Sequence, residues 1–201
     1  MNEEKTWVFQ AQQGNDEAFT RLVEQYQTPV YNLCYRMLGE PEAAEDAAQE
    51  SFLRAYRNIG RFDLGRSFPT WLLSIAAHYC IDQLRRRKFG FISIDEQADD
   101  DDRPMEFADA NAIDPAHETE RREEQYALQM VLQRLGSTDR AALVLRYWYD
   151  FSEVEIAESL NLTVPAVKSR LHRARREVAR HLAEGAPEPH LERMPYGTPA
   201  L

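Results

Sequence analysis

The 201 residues contain only two cysteines, no apolar run of the roughly 18 residues that a membrane-spanning helix needs, and no surplus of positive charge. Each shortage excludes something. Cys34 and Cys80 lie inside helical patterns and form no pair with metal-ligand spacing, which argues against a disulfide framework or a cysteine zinc site and leaves two buried, reduced thiols as the expectation. Met1 to Lys5 lack the positive flank and apolar core of a signal peptide, so a cytoplasmic location without membrane insertion is expected. His78, His117, His172, His181 and His190 are scattered, and no triad spacing, phosphate-binding glycine loop or metal set stands out. The chain reads as a non-enzyme without cofactor or metal. Asp99 to Asp102 do not alternate around a glycine as calcium loops require, which leaves a solvated linker.

What is present is an ordinary globular composition, 43% hydrophobic, with enough chain for two small cores. A net charge of -10 looks wrong for a nucleic-acid binder until its distribution is read. Residues 61–88 carry Arg61, Arg66, Arg85, Arg86, Arg87 and Lys88 against only Asp63 and Asp82. Residues 151–183 carry six cations against four acids, whereas residues 89–125 hold thirteen acids against three bases. Two segments with basic surfaces are thus joined by an acidic strap.

The segment from Phe151 to Leu182 has the pattern of a helix-turn-helix. Ser152 and Glu155 form a capping box, Phe151 is placed to staple against Ile156, and Val154, Ile156, Ala157 and Leu160 make the expected inward side. Asn161 tolerates the left-handed turn, Thr163 can cap the second helix, and Pro165 fits its first turn. On that second helix Val167, Leu171, Ala174 and Val178 line one apolar side. Ser169, His172, Arg173, Arg176 and Arg180 face away, with Lys168, Arg170 and Arg175 on the flanks. A polar, cationic face of this kind suits a helix in a DNA major groove, arginine forks pairing with guanine and flanking cations with phosphates.

In the first part, residues 1–14 are polar and carry little expectation. Asn15 can cap a helix that Pro29 bends or restarts and that ends at Gly39. Pro41 opens the next, with Ala44, Ala48, Phe52, Ala55, Tyr56 and Ile59 apolar and Glu42, Glu45, Asp46, Gln49, Glu50 and Arg54 opposite. The loop 61–67 precedes a helix over about 68–88. Its terminal Arg85 to Lys88 cluster exceeds what a helix C-terminus needs. With Arg61, Arg66, Phe62, Phe68 and Trp71 it interleaves cations and aromatics, the combination that grips single-stranded DNA. Trp71, at helical spacing, is expected mostly buried, and Phe62, in a loop, exposed.

Taken in order, Glu45-Asp46-Ala47-Ala48-Gln49-Glu50-Ser51-Phe52, Phe68-Pro69-Thr70-Trp71-Leu72, Ile81-Asp82-Gln83-Leu84-Arg85-Arg86-Arg87, Glu155-Ile156-Ala157 and Val167-Lys168-Ser169-Arg170-Leu171-His172-Arg173-Ala174-Arg175 resemble the motifs of the extracytoplasmic-function sigma factors. The resemblance implies an all-α chain of two small helical domains: sigma domain two at 1–90, an acidic linker at 91–122, sigma domain four at 123–184, and a proline-rich tail at 185–201. It implies core RNA polymerase as partner, through the beta-prime clamp helices and beta flap, with Glu45, Asp46, Gln49, Glu50 and Phe52 on the clamp. Arg61, Phe62, Asp63, Leu64, Arg66, Ser67, His78, Asp82, Arg85 and Arg86 would then serve the -10 element, the loop receiving a flipped base. Lys168, Ser169, Arg170, His172, Arg173, Arg175 and Arg176 would serve the -35 element, and an anti-sigma factor is a further implied partner. Two departures stand out: Pro165-Ala166 where the family usually has glycine-threonine, and His78 where asparagine is common. The alternative reading is a dimeric helix-turn-helix regulator that binds operator DNA without polymerase.

Overall fold

A computed structural model describes residues 3–90 and 126–185, and among these every regular element is helical. The acidic stretch 91–122 and the tail beyond Gly185 lie outside the described residues. The helices are α1 (Glu3–Gln12), α2 (Asp16–Leu38), α3 (Pro41–Asn58), a 3-10 turn (Ile59–Arg61), α4 (Phe68–Gly90), α5 (126–134), α6 (Ser137–Trp148), α7 (Glu153–Ser159) and α8 (Val164–Gly185).

α2 is the spine of the first half. Phe19, Leu22, Tyr26, Val30, Leu33 and Met37 recur three or four residues apart, and all are buried against α1, α3 and α4. Asn15 accepts the Ala18 amide at 3.0 Å, and Gly39 ends the helix at φ 84°, where a side chain would be strained and would run into Gln133. Pro29 does not restart the helix: α2 continues through it without a break, the carbonyl freed at exposed Gln25 being able to turn to water. Residues 1–14, expected to do little, contain α1, which buries Val8 and Ala11 against α2. On α3 the buried side is Ala44, Ala47, Ala48, Ser51 and Ala55, whereas Tyr56 stands at the surface and donates to Asp16 Oδ1 at 2.7 Å. Cys34 and Cys80 are both free and fully buried, and hydrogen bonding to Cys80 together with burial pushes the Cys34 thiol well up.

In the second half the capping box is present, Ser152 and Glu155 exchanging hydrogen bonds of 2.8 and 3.2 Å. Asn161 takes the turn at φ 53°, and Thr163 accepts the Ala166 amide at 3.3 Å. Ile156, Ala157, Ser159 and Leu160 face inward. Val154 does not: it is 55% exposed, because at about 100° per residue the Ile156–Leu160 stripe rotates it toward solvent. Val167, Leu171 and Ala174 of α8 are buried, with Val178 half-buried behind them.

One apolar core runs through both halves, and the seam is closed by polar groups. Arg140, only 4% exposed, donates to the carbonyls of Met37, Gln133 (2.6 Å) and Leu135 (3.2 Å), and burial pulls its guanidinium down to about 10. Gln129 donates to Tyr35 O at 2.9 Å, Tyr149 to Pro29 O at 2.6 Å, and Arg36 lies 5.0 Å above the Trp148 ring.

Candidate nucleic-acid interface

Two cationic surfaces emerge, one in each half. In the first, the 3-10 turn and the loop after it meet the start of α4 around an open cavity of about 500 Å³. Arg54, Asn58 and Arg61 line one side; Phe62, Trp71, Ser74, Ile75 and His78 line the other. Of these, the interleaving of cations and aromatics in the sequence points to Arg61, Phe62 and Trp71 as a grip on DNA, and the family resemblance implies His78. Arg54, Asn58, Ser74 and Ile75 carry no local signal for this site, because only the crossing of α3 and α4 brings them to one hole. His78 Nδ1 sits 3.0 Å from the Ser74 carbonyl and so donates to it, which leaves Nε2 as the ring's second polar atom. Arg54 is braced by Glu50 at 2.8 Å and stacks 4.7 Å over Tyr79.

Phe62 is not exposed. It is 7% accessible, wedged 4.8 Å from Trp71 and 5.7 Å from Phe68 by ring centroids, because in so short a loop an aromatic ring gains more from the neighbouring rings than from water. Gln12 of α1 holds this corner by donating to Ile59 O (3.0 Å) and Phe62 O (2.7 Å), a role that α1 in isolation gives no hint of. Asp63 turns the loop by accepting the Gly65 amide at 2.9 Å, and Ser67 opens α4 by accepting from Thr70. Arg61, Arg66, Asp82, Arg85 and Arg86 are exposed and Leu64 is half-buried; of these cations Arg61 lines the cavity, and Arg66 pairs with Glu158 of α7 at 3.0 Å. On α3, Glu45, Asp46 and Gln49 are exposed while Glu50 and Phe52 are half-buried, and Leu53, 48% exposed, continues the same stripe as an apolar member that periodicity does not mark.

In the second half, α8 presents Lys168, Ser169, His172, Arg173, Arg175 and Arg176 to solvent, with Arg170 half-buried. Several are engaged within the protein. Lys168 lies 3.6 Å from Glu153, and Arg175 Nε donates to Leu171 O at 3.3 Å. Arg170 and Arg173 both bind Asp139 of α6, at 2.7 Å from Arg170 Nη1 and at 2.7 and 2.9 Å from Arg173 Nε and Nη2. Burial raises the Asp139 carboxyl, but the two guanidiniums outweigh it and hold it below the usual range.

Residues 22–89 match Sigma-70 region 2, and residues 125–178 match Sigma-70 region 4. The ECF RNA polymerase sigma factor SigW of Bacillus subtilis is 36% identical over 181 residues, which is 90% of this chain and 97% of SigW. The chain belongs to the extracytoplasmic-function sigma factors. It is therefore a subunit that directs RNA polymerase to promoters, and the reading as an operator-binding dimer is not favoured. The fold agrees: the structure of CnrH with the cytosolic domain of CnrY superposes with a TM-score of 0.67 at 23% identity, over 92% of this chain and all of that one. The sigma factor RpoE of Bartonella quintana, solved with the anti-sigma factor NepR, gives 0.62 at 19% identity over 84% of this chain and 98% of that one. The cationic cavity thus falls in region 2 of this sigma factor, and α8 in region 4.

Proposed function

We propose that this sigma factor divides promoter recognition between the two surfaces. Region 2, in residues 1–90, grips the -10 element, and its cavity receives one base flipped out of the duplex. Arg61, Arg66, Arg85 and Arg86 hold the backbone around it; Phe62, Asp63, Leu64 and Ser67 shape the loop; His78 and Asp82 face the promoter from α4. The observation that carries this reading is the cavity itself, in which the rings of Phe62 and Trp71 meet the guanidiniums of Arg54 and exposed Arg61, the two components single-strand recognition requires. Binding the unstacked base offsets part of the cost of melting. Region 4, in residues 123–184, places α8 in the major groove of the -35 element, with Lys168, Ser169, His172 and Arg173 at base edges and Arg170, Arg175 and Arg176 at phosphates. Glu45, Asp46, Gln49, Glu50 and Phe52, extended by Leu53, form the surface for the beta-prime clamp helices. The acidic residues 91–122 link the two regions along the polymerase.

The chemistry belongs to the polymerase; this subunit brings positioning and strand separation, acts in the cytoplasm, and is held in check by an anti-sigma factor, a reading supported by the NepR bound to Bartonella RpoE. Among the described residues no helix is long and apolar enough to cross a membrane. Run-off transcription tests the whole: the purified chain should bind promoter duplex weakly, given its charge of -10, and support initiation only with core polymerase. Strong footprinting by the free chain on a palindromic site would overturn the proposal.

A further inference from the structure

The clamp between α6 and α8 has a consequence for how α8 reads DNA. Asp139 lies in the first turn of α6, where an acidic residue also suits the helix dipole, yet both of its oxygens are spent on α8. On Arg173 the carboxylate takes the inner edge, Nε and Nη2, at 2.7 and 2.9 Å. A guanidinium carries five N-H groups in a rigid plane, so the outer edge, formed by Nη1 and the second hydrogen of Nη2, stays unclaimed by this carboxylate. The Arg173 side chain is 60% exposed, whereas the Asp139 side chain is 12% exposed, so the held edge faces the protein and the open one faces solvent. Arg170, at 32% exposure, also donates to Oδ1, the oxygen that accepts from Arg173 Nη2, and this second hold keeps the carboxylate from swinging with Arg173.

We infer that Asp139 is a positioning residue for sequence recognition: it locks the plane of Arg173 so that the outer fork is presented to a guanine edge in the -35 major groove. An unbraced arginine pays rotamer freedom on each contact and settles equally well on a phosphate; one whose plane is set beforehand loses less and discriminates more. The inference rests on α8 being the -35 reader, and it assigns to Asp139, which touches no DNA, part of the base specificity. It also separates the two arginines: Arg173 reads a base edge, while Arg170 braces the carboxylate through Nη1 in addition to its proposed phosphate contact.

The test uses the reconstituted holoenzyme and a promoter library randomised across the -35 element, selected by binding with wild-type, Asp139→Ala, Arg173→Lys, Lys168→Ala and the Asp139→Ala/Arg173→Lys double variant. Wild type should enrich guanine at one position by roughly five- to a hundredfold, the discrimination a bidentate contact supplies. Arg173→Lys keeps the charge without the fork and should abolish that preference at that position alone. Asp139→Ala should reduce it several-fold at the same position while leaving the others, and should add nothing in the Arg173→Lys background. Where Asp139→Ala does not fold, Asp139→Asn, which keeps the shape but not the charge, should show the same loss at the same position. Two results would overturn the inference: Asp139→Ala weakening every sequence equally with the preferences unchanged, or Arg173→Lys leaving the guanine preference intact. If wild type shows no -35 preference and Lys168→Ala changes nothing, it is the assignment of α8 that fails, a result distinguishable from either of these.

Discussion

Gln12 sits far in sequence from the loop it holds, yet its amide donates twice to that loop's backbone. Each such bond contributes a net of about 0.5–1.5 kcal/mol, and the two together keep the Phe62 corner in place against the cavity. Gln12→Ala should therefore lower the melting temperature modestly. Its larger effect should be on promoter opening by the holoenzyme, reduced several-fold in permanganate reactivity of the -10 thymines, with -35 binding unchanged. Asp139 makes a pH prediction of its own. Its folded carboxyl titrates below the ordinary 3.8, so its contribution is complete above that value and is lost as acid protonates the folded protein. Asp139→Asn should be less stable than wild type at neutral pH in urea titrations, and the gap should close as the pH falls below about 4.

The short helix α7 depends on its ends, since seven residues are too few to be stable by propensity. The capping box supplies what the sequence length does not. Ser152→Ala removes the side-chain acceptor for the Glu155 amide and should cost about 1 kcal/mol, visible as a lower urea midpoint. The reach of the effect should extend to α8, which packs on α7, so -35 affinity should fall with it while the -10 interaction is spared. The first turn of α6 shows a division of labour between neighbours. Asp139 faces α8 and Arg140 faces α2 and α5, so one turn of helix fixes α8 and also the seat of region 4 on region 2.

The two regions meet closely enough that Arg66, in the loop before α4, and Glu158 of α7 form an ion pair at 3.0 Å. Both side chains are more than half exposed, so the pair itself contributes under about 1 kcal/mol. The seam is held by the buried groups instead. Glu158→Ala should leave the melting temperature nearly unchanged. Arg140→Met strands the carbonyls of Met37 and Gln133 and should destabilise the chain by about 3 kcal/mol or more. The promoter adds a geometric demand. By their numbering the -10 and -35 elements lie roughly 25 base pairs apart, about 85 Å at 3.4 Å per step. On the proposed division of the promoter between the two surfaces, the regions separate on DNA, and the 35 residues of 91–125 span at most about 120 Å when extended, enough to permit it. Fluorescence energy transfer between labels on α3 and α8 should be high in the free chain and fall when the holoenzyme binds; unchanged transfer would contradict this.

The sequence by itself determined the helices, their caps and the apolar faces that build each half, since these follow from spacing and local hydrogen bonding: Asn15, Gly39, Pro41, Ser152 with Glu155, and the Val167–Leu171–Ala174 stripe all act where periodicity puts them. It also marked the cationic cluster at the end of α4 and the outward face of α8. Only the tertiary structure decided which side chains meet across elements. Phe62 turned inward because two other rings awaited it, Val154 turned outward because its stripe lay elsewhere, and α1 became a brace although its residues read as unremarkable. Asp139 and Arg140 carry no sequence signal for their partners, since a charge's role is set by what lies within a few ångströms of it, a property that one-dimensional spacing does not contain.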